Sequence, residues 1–335
     1  MTETDAWPSG LVIVDKPDGM TSHDVVARVR RLAHTRRVGH AGTLDPMATG
    51  VLVLGIEKAT RLLGHLMLTE KTYHATIRLG QSTTTDDAEG EPTGGSSAAG
   101  ITAEALDAGI AALTGEILQV PPGVSAIKVN GRRAYKLTRA GAAPELAARP
   151  VTVHQFSITG TRHHGNLLDV GAVIRCSSGT YIRALARDLG ADLGTGAHLT
   201  MLRRTAVGPY TIAIAHPLKE LEDQHQSPER ERVNPTPAPA PPPSQDPQAR
   251  PAPPLPVIPL AEAAAAAFPR LDLTEDEARR LAQGARLPLP DRMPPPGPPS
   301  PANDQAPVAA FAPDGSLVAL VQAVQGQLRS LAVFV

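Results

Sequence analysis

Between Asn234 and Pro259 nearly every second residue is proline, with Ala, Gln and Ser between them. Proline has no amide proton to give a helix or a ladder, and this composition has little apolar surface to bury. The tract predicts an extended, disordered linker over residues 223–256, which splits the chain into a large unit (1–222) and a small one (257–335). A second proline-rich stretch, Pro288–Pro307, reads as a loop insertion in the smaller unit. The rest has a globular composition, but aromatics make up only 3%, so its cores must rest on Val, Leu, Ile and Ala. The single cysteine, Cys176, excludes an internal disulfide or a cysteine-based zinc site. Met1–Gly10 lacks the pattern of a secretory signal, and no apolar run is long enough to span a bilayer. A cytoplasmic protein without membrane association is expected.

The formal net charge of -1 argues on its own against a nucleic-acid partner, but the charges are clustered. Arg28, Arg30, Arg31, Arg36 and Arg37 form one basic group, and Lys128, Arg132, Arg133, Lys136 and Arg139 another. Local basic faces attract phosphate even when the total is neutral. Either cluster taken alone is equally a solvated helix face.

Leu11–Val14 reads as a strand closed by the turn Lys16-Pro17-Asp18-Gly19. Thr21 or Ser22 caps a helix with Val25, Val26, Val29 and Leu32 on one face. Val51–Leu54 is a second buried strand, and Tyr73, Ala75, Ile77 and Leu79 alternate with polar residues as a half-buried third. Thr102 caps a helix; Val151–Ile158 and Leu167–Cys176 are spaced as a hairpin; Ile182–Leu193 is helical. In the small unit Glu262–Phe268 and Thr274–Gln283 read as helices, with Phe311–Val324 and Leu328–Val335 as strands around a turn at Asp314-Gly315. Strands and helices mix without a strict βαβ repeat, which predicts an α+β fold with a mixed, mostly antiparallel sheet flanked by helices.

Chemistry points to Gly39-His40-Ala41-Gly42-Thr43-Leu44-Asp45-Pro46-Met47-Ala48-Thr49-Gly50. Its glycines and proline predict a loop with special backbone angles. Pro46 restrains Asp45 to extended geometry, so a carboxylate is rigidly presented with an imidazole, His40, nearby. A nucleophile or general base would use such an arrangement. From the residues alone, Asp45 capping a turn and His40 packing explain the string as well.

The string resembles the catalytic motif of the bacterial tRNA pseudouridine synthase B (TruB) family, GH-x-G-x-LDP-x-A-x-G. Further segments are similar in the same order: Asp15–Ser22, Lys71-Thr72-Tyr73 with Leu79–Gly90, Pro121–Tyr135, Cys176–Arg183 and Ala197–Thr205. The resemblance covers about Gly10 to Leu221 and, more loosely, the C-terminal unit, which is similar to a small β-rich PUA-type RNA-binding domain. It implies that Asp45 is the catalytic aspartate, Tyr73 an active-site tyrosine and Arg183 the partner of the aspartate. It implies substrate contacts at His40, which stacks in the space left by a flipped base, and at Tyr181, Leu202 and Lys16. Residues 121–150 would be an RNA-clamping insertion that brings Lys128 and Arg132 to the phosphates. Without the resemblance Tyr73 and Leu202 are core residues, Arg183 a surface arginine at a helix start, and Asp87 a turn residue.

The implied reaction is isomerisation of uridine 55 in the TΨC loop of tRNA to pseudouridine. The C1′–N1 bond breaks, the uracil turns, and C5 joins C1′. No cofactor or metal is implied, and the chain carries no GxGxxG after a strand, no P-loop and no metal-ligand spacing. Attack by the aspartate and elimination to a glycal remain alternative routes. The implied partner is the T-arm of tRNA, with no obligate protein partner. A non-catalytic tRNA-binding or tRNA-folding protein on the same scaffold is the alternative, followed by a guide-RNA-dependent synthase and an N-glycosidase. On this reading, removing residues 256–335 costs tRNA affinity more than it costs chemistry.

Overall fold

The structure, a computed structural model, describes residues 8–124, 128–129, 132–133, 146–225, 255–294 and 307–335, with the backbone alone at 128–129 and 132–133. Most of the expected linker, the middle of the 121–150 insertion and the end of the second proline tract lie outside the described residues.

Apolar runs make the central strands. Gly10–Lys16 (β1) is followed by Ser22–Leu32 (α1), Val38–His40 (β2) and Thr49–Ile56 (β3). Thr21 closes a capping box with Asp24 at the start of α1, which satisfies amide groups that the helix cannot bond itself. Then come Lys71–Leu79 (β4), Ala103–Ala112 (α2), Gly115–Gln119 (β5), Arg149–His164 (β6), Leu167–Cys176 (β7), Ile182–Asp192 (α3), Ala197–Val207 (β8) and Leu218–His225 (α4). The main sheet runs β1-β3-β8-β4-β7-β6-β5. The β3–β8 pairing is parallel and the other neighbours in this path are antiparallel. A mixed, mostly antiparallel sheet with helices is thus the observed architecture.

The small unit carries Ile258–Pro259 (β9), Leu260–Ala267 (α5), Arg270–Asp272 (β10), Glu275–Ala282 (α6), Leu287–Pro288 (β11), Val308–Phe311 (β12), Leu317–Val324 (β13) and Gln327–Val333 (β14). Its sheet is ordered β10-β12-β13-β14-β11. The stretch expected as one strand from Phe311 to Val324 is two, because Asp314-Gly315 turns the chain between β12 and β13. A second turn at Gln325-Gly326, both at positive φ, leads into β14.

The run Leu11-Val12-Ile13-Val14 is unbroken by polar residues because β1 is buried on both faces. Val12, Val14, Leu52 and Leu54 face a core with α1 and α3; Leu11, Ile13, Val51 and Val53 face a second core. That second core also holds Ala263, Phe268, Phe311, Leu317 and Phe334 of the small unit. β9 adds an antiparallel strand to β1, pairing Leu11 with Ile258, and the Tyr210 hydroxyl donates to the Ala263 carbonyl at 2.7 Å. The two units therefore share a core, which the proline tract alone did not suggest.

Candidate active site

The string Gly39–Gly50 is less irregular than its glycines predict: His40 ends β2 and Thr49 begins β3. Between them each carbonyl from Gly42 to Pro46 accepts a hydrogen bond. Arg204 Nη2 donates to Gly42 O (3.1 Å) and Nη1 to Thr43 O (3.4 Å). Ser22 Oγ donates to Leu44 O (3.2 Å) and accepts from Leu44 N (2.9 Å). Ala48 N donates to Asp45 O (3.1 Å), and Gly19 N to Pro46 O (3.0 Å). Lys16 Nζ also donates to Pro46 O, at 3.0 Å. A loop anchored from β1, α1 and β8 presents its side chain with little freedom.

Asp45 is presented next to α3. Arg183 Nε lies 3.0 Å from Asp45 Oδ2 and 3.5 Å from Asp87 Oδ2. Its Nη1 donates to Thr85 O (2.8 Å) and Nη2 to Val124 O (3.0 Å). The guanidinium is thus a fork shared among two carboxylates and two carbonyls. The Arg183 and Asp87 side chains are 5% and 4% exposed, whereas Asp45 is 36% exposed. The buried pair fixes the cation, and the cation in turn holds Asp45 at an open surface. Asp87 is itself fixed by Thr85 Oγ1 and by Glu89 N (3.1 Å). The turn reading of Asp87 captures its backbone setting but misses its ion pair.

A cavity of about 310 Å³ opens beside Asp45, lined by Tyr73, Tyr181, Arg183 and Leu202 among others. Of the residues expected at the site, Asp45, Tyr73, Tyr181, Arg183 and Leu202 are brought together. Burial pushes the Tyr73 phenol above its ordinary value, and the neighbouring Arg204 opposes that shift. Tyr181 sits at the N-cap of α3, its backbone N–H bonded to Gln119 Oε1 at 2.8 Å.

Four further expected residues, Lys16, His40, Lys128 and Arg132, are not among the described residues that line the cavity. Lys16 is fully buried, and its ammonium donates to Pro17 O, Met20 O and Pro46 O; the last of these anchors the Asp45 loop. His40 does not line the cavity and packs edge-on against His23, ring centroids 5.4 Å apart. Burial, with His23 adding to it, holds His40 below the usual histidine range. The side chains of Lys128 and Arg132 lie outside the described residues; their backbone forms a short antiparallel pair, Lys128–Val129 with Arg132–Arg133.

Sequence reasoning missed Lys71 and Arg204, which also line the cavity. Both stand in phase with buried residues of their strands, and a charge on an apolar face is the signal that marks them. Lys71 Nζ donates to Met67 O and Thr69 O (2.5 Å). Burial, and then the charge of Arg204, lower Lys71 from 10.5 to about 8. Cys176, raised by burial to about 11, stays a thiol.

The N-terminal domain of TruB family pseudouridylate synthases matches residues 30–182. The tRNA pseudouridylate synthase B C-terminal domain matches 183–236, and the C-terminal domain of tRNA pseudouridine synthase II matches 268–335. The tRNA pseudouridine synthase B of Streptomyces griseus is 53% identical over 100% of both chains. That of Thermobifida fusca is 55% identical over 97% of this chain and 98% of its own. The chain belongs to the TruB family. Among solved structures, a Cbf5-Nop10-Gar1 complex superposes with a TM-score of 0.66 over 97% of this chain and 85% of the other, at 24% identity. An H/ACA RNP bound to a substrate RNA containing 2′-deoxyuridine gives 0.65, also at 24% identity. At that identity the likeness is one of fold, and the TruB assignment rests on the bacterial relatives.

The lowered Lys71 has a measurable consequence in this TruB chain. In lysine-labelled protein its ammonium should titrate near pH 8; a midpoint near 10.5 would contradict the burial argument. Because the folded value lies below the unfolded one, the unfolded chain holds this proton more tightly between about pH 8 and 10.5. Stability should therefore rise with pH across that window, by on the order of 3 kcal/mol at most. Lys71→Met should remove this part of the rise in urea melts.

Proposed function

We propose that this TruB chain isomerises uridine 55 in the TΨC loop of tRNA to pseudouridine. Relatives about half identical along their whole length are named tRNA pseudouridine synthase B, which supports tRNA as the substrate. The observation that carries the chemistry is the Arg183–Asp45 ion pair at 3.0 Å, set at the mouth of a cavity walled by Tyr73 and Leu202. The pair sets a cation 3.0 Å from the carboxylate oxygen, at the group from which either route to glycosidic cleavage starts.

The target base is stacked inside folded RNA and must be extruded to reach Asp45. Leu202 and Tyr73 then flank the uracil, with Tyr181 at the rim. Asp45 acts at the sugar, as a nucleophile or by promoting elimination, while the C1′–N1 electron pair leaves with the uracil. After the base turns, C5 bonds to C1′ and loses its proton, a step in which the Tyr73 hydroxyl takes part. To His40, outside the cavity, we assign the filling of the vacated stack. The reaction moves no electrons to an acceptor and transfers no phosphate, so it runs without cofactor. We place the enzyme in the cytoplasm with its tRNA; among the described residues no helix is long and apolar enough to cross a membrane.

The test is tritium release from tRNA labelled at uridine C5, with the product mapped. Release from a single T-loop uridine is expected. tRNA binding without release would leave a tRNA-folding protein on a synthase scaffold.

A further inference from the structure

Arg204 reaches both halves of the site. Its backbone lies between two strands, opposite Gly50 of β3 and opposite Tyr73 of β4. Gly50, at φ +101°, permits this approach: a Cβ there would lie 2.2 Å from the Arg204 carbonyl oxygen. The residue is 1% exposed. Its guanidinium donates through Nε to Val51 O (2.8 Å) and through the two Nη groups to Thr43 O and Gly42 O. Its sequence neighbour Arg203 pairs with Asp15 at 2.6 Å, whereas the Arg204 guanidinium faces three carbonyl oxygens and the Tyr73 phenol.

A buried guanidinium without a counter-ion is costly to keep. A neutral side chain would be cheaper if the position served only to fill space. Its fork does what few groups can: charged donors grip two successive carbonyls just before Asp45, and the same side chain lines the cavity with Tyr73.

We propose that Arg204 is a positioning residue for the isomerisation, holding the Asp45 loop and Tyr73 in one fixed relation so that carboxylate and phenol address the same nucleotide. The inference rests on the synthase reading above. The loop keeps its anchors from Ser22 and Lys16 when Arg204 is lost, so the carboxylate is displaced, not released. Displacements of about 1 Å cost on the order of 10²-fold in rate. Arg204 is 1% exposed and offers no charge to the RNA backbone, so binding should be spared.

The experiment compares Arg204→Ala, Arg204→Lys and wild type in single-turnover pseudouridine formation and in tRNA binding, with and without millimolar guanidinium chloride. Arg204→Ala should lose on the order of 10²-fold in rate with a tRNA Kd close to wild type. Added guanidinium should recover much of that loss by occupying the vacated site. It should do nothing for Asp45→Asn, whose defect is chemical. Arg204→Lys, with one compact donor, should remain slow although its charge is retained. Circular dichroism confirms that each variant is folded before its rate is read. A full rate in Arg204→Ala would overturn the proposal. So would a folded but slow Arg204→Ala that guanidinium leaves unchanged, or a loss confined to tRNA affinity. If wild type itself forms no pseudouridine, the synthase reading fails first and this role falls with it.

Discussion

Asp45→Asn is expected to abolish pseudouridine formation while leaving tRNA binding and folding near wild type. The substitution keeps the size of the side chain and removes its charge. The loop does not depend on that charge, because its carbonyls are held by Arg204, Ser22, Lys16 and backbone amides. Arg183 does not depend on it either. It keeps Asp87 and the carbonyls of Thr85 and Val124, so no buried charge is orphaned and stability should change by no more than about 1 kcal/mol. What is lost is an ionised oxygen at the cavity mouth. An amide is no nucleophile toward C1′ and cannot take up a proton in an elimination, so turnover should fall by about 10⁴-fold or more, the scale seen when a nucleophile is removed. Binding to a polyanion should hold or improve slightly, because a negative charge leaves the surface that faces phosphate. Filter binding and tritium release on one preparation separate the two quantities. Turnover within tenfold of wild type would mean that another group performs the chemistry.

The sequence was most legible where one residue does one job. The unbroken run Leu11–Val14, the capped helix after Thr21 and the alternation around Tyr73 each appear as elements over nearly the expected residues. The loop around Asp45 was legible through Gly42, Pro46 and Gly50, whose backbone needs show in their identity. Pairings between distant segments were not. That Arg183 shares its guanidinium between Asp45 and Asp87 depends on how the 83–91 turn meets α3, which no local pattern encodes. Arg204 was hidden for a related reason. Arg203-Arg204 breaks the alternation expected of a strand, so β8 was not anticipated, and its inward-facing cation was not seen. The setting of Lys16 was not legible either: nothing in a lysine before a turn reveals the three carbonyls that converge on its ammonium.

Removal of residues 256–335 is expected to unfold the remainder, not to leave an active enzyme with weakened RNA affinity. The proline tract suggests separable units, but the second core contradicts that. Cutting at 256 removes β9 from the edge of β1 and strips α5, Phe268, Phe311, Leu317 and Phe334 from the face formed by Leu11, Ile13, Val51 and Val53. Each large apolar side chain uncovered costs about 1.5–3 kcal/mol relative to burial. A handful of them matches the whole stability of an ordinary domain, about 5–15 kcal/mol. Tyr210 would also lose the Ala263 carbonyl that its buried hydroxyl donates to, with a desolvation penalty of about 1–3 kcal/mol. The exposed β1 edge and apolar face would favour aggregation. The expected result is an insoluble fragment, or a soluble one without a cooperative melt, and no measurable turnover in either case. Thermal denaturation of the fragment decides it. A cooperative transition close to that of the full chain, with turnover retained at saturating tRNA, would show that the shared core is dispensable and that the small unit serves RNA affinity alone. The shared core predicts the opposite: the C-terminal unit completes the sheet that carries Asp45, and chemistry fails with the fold.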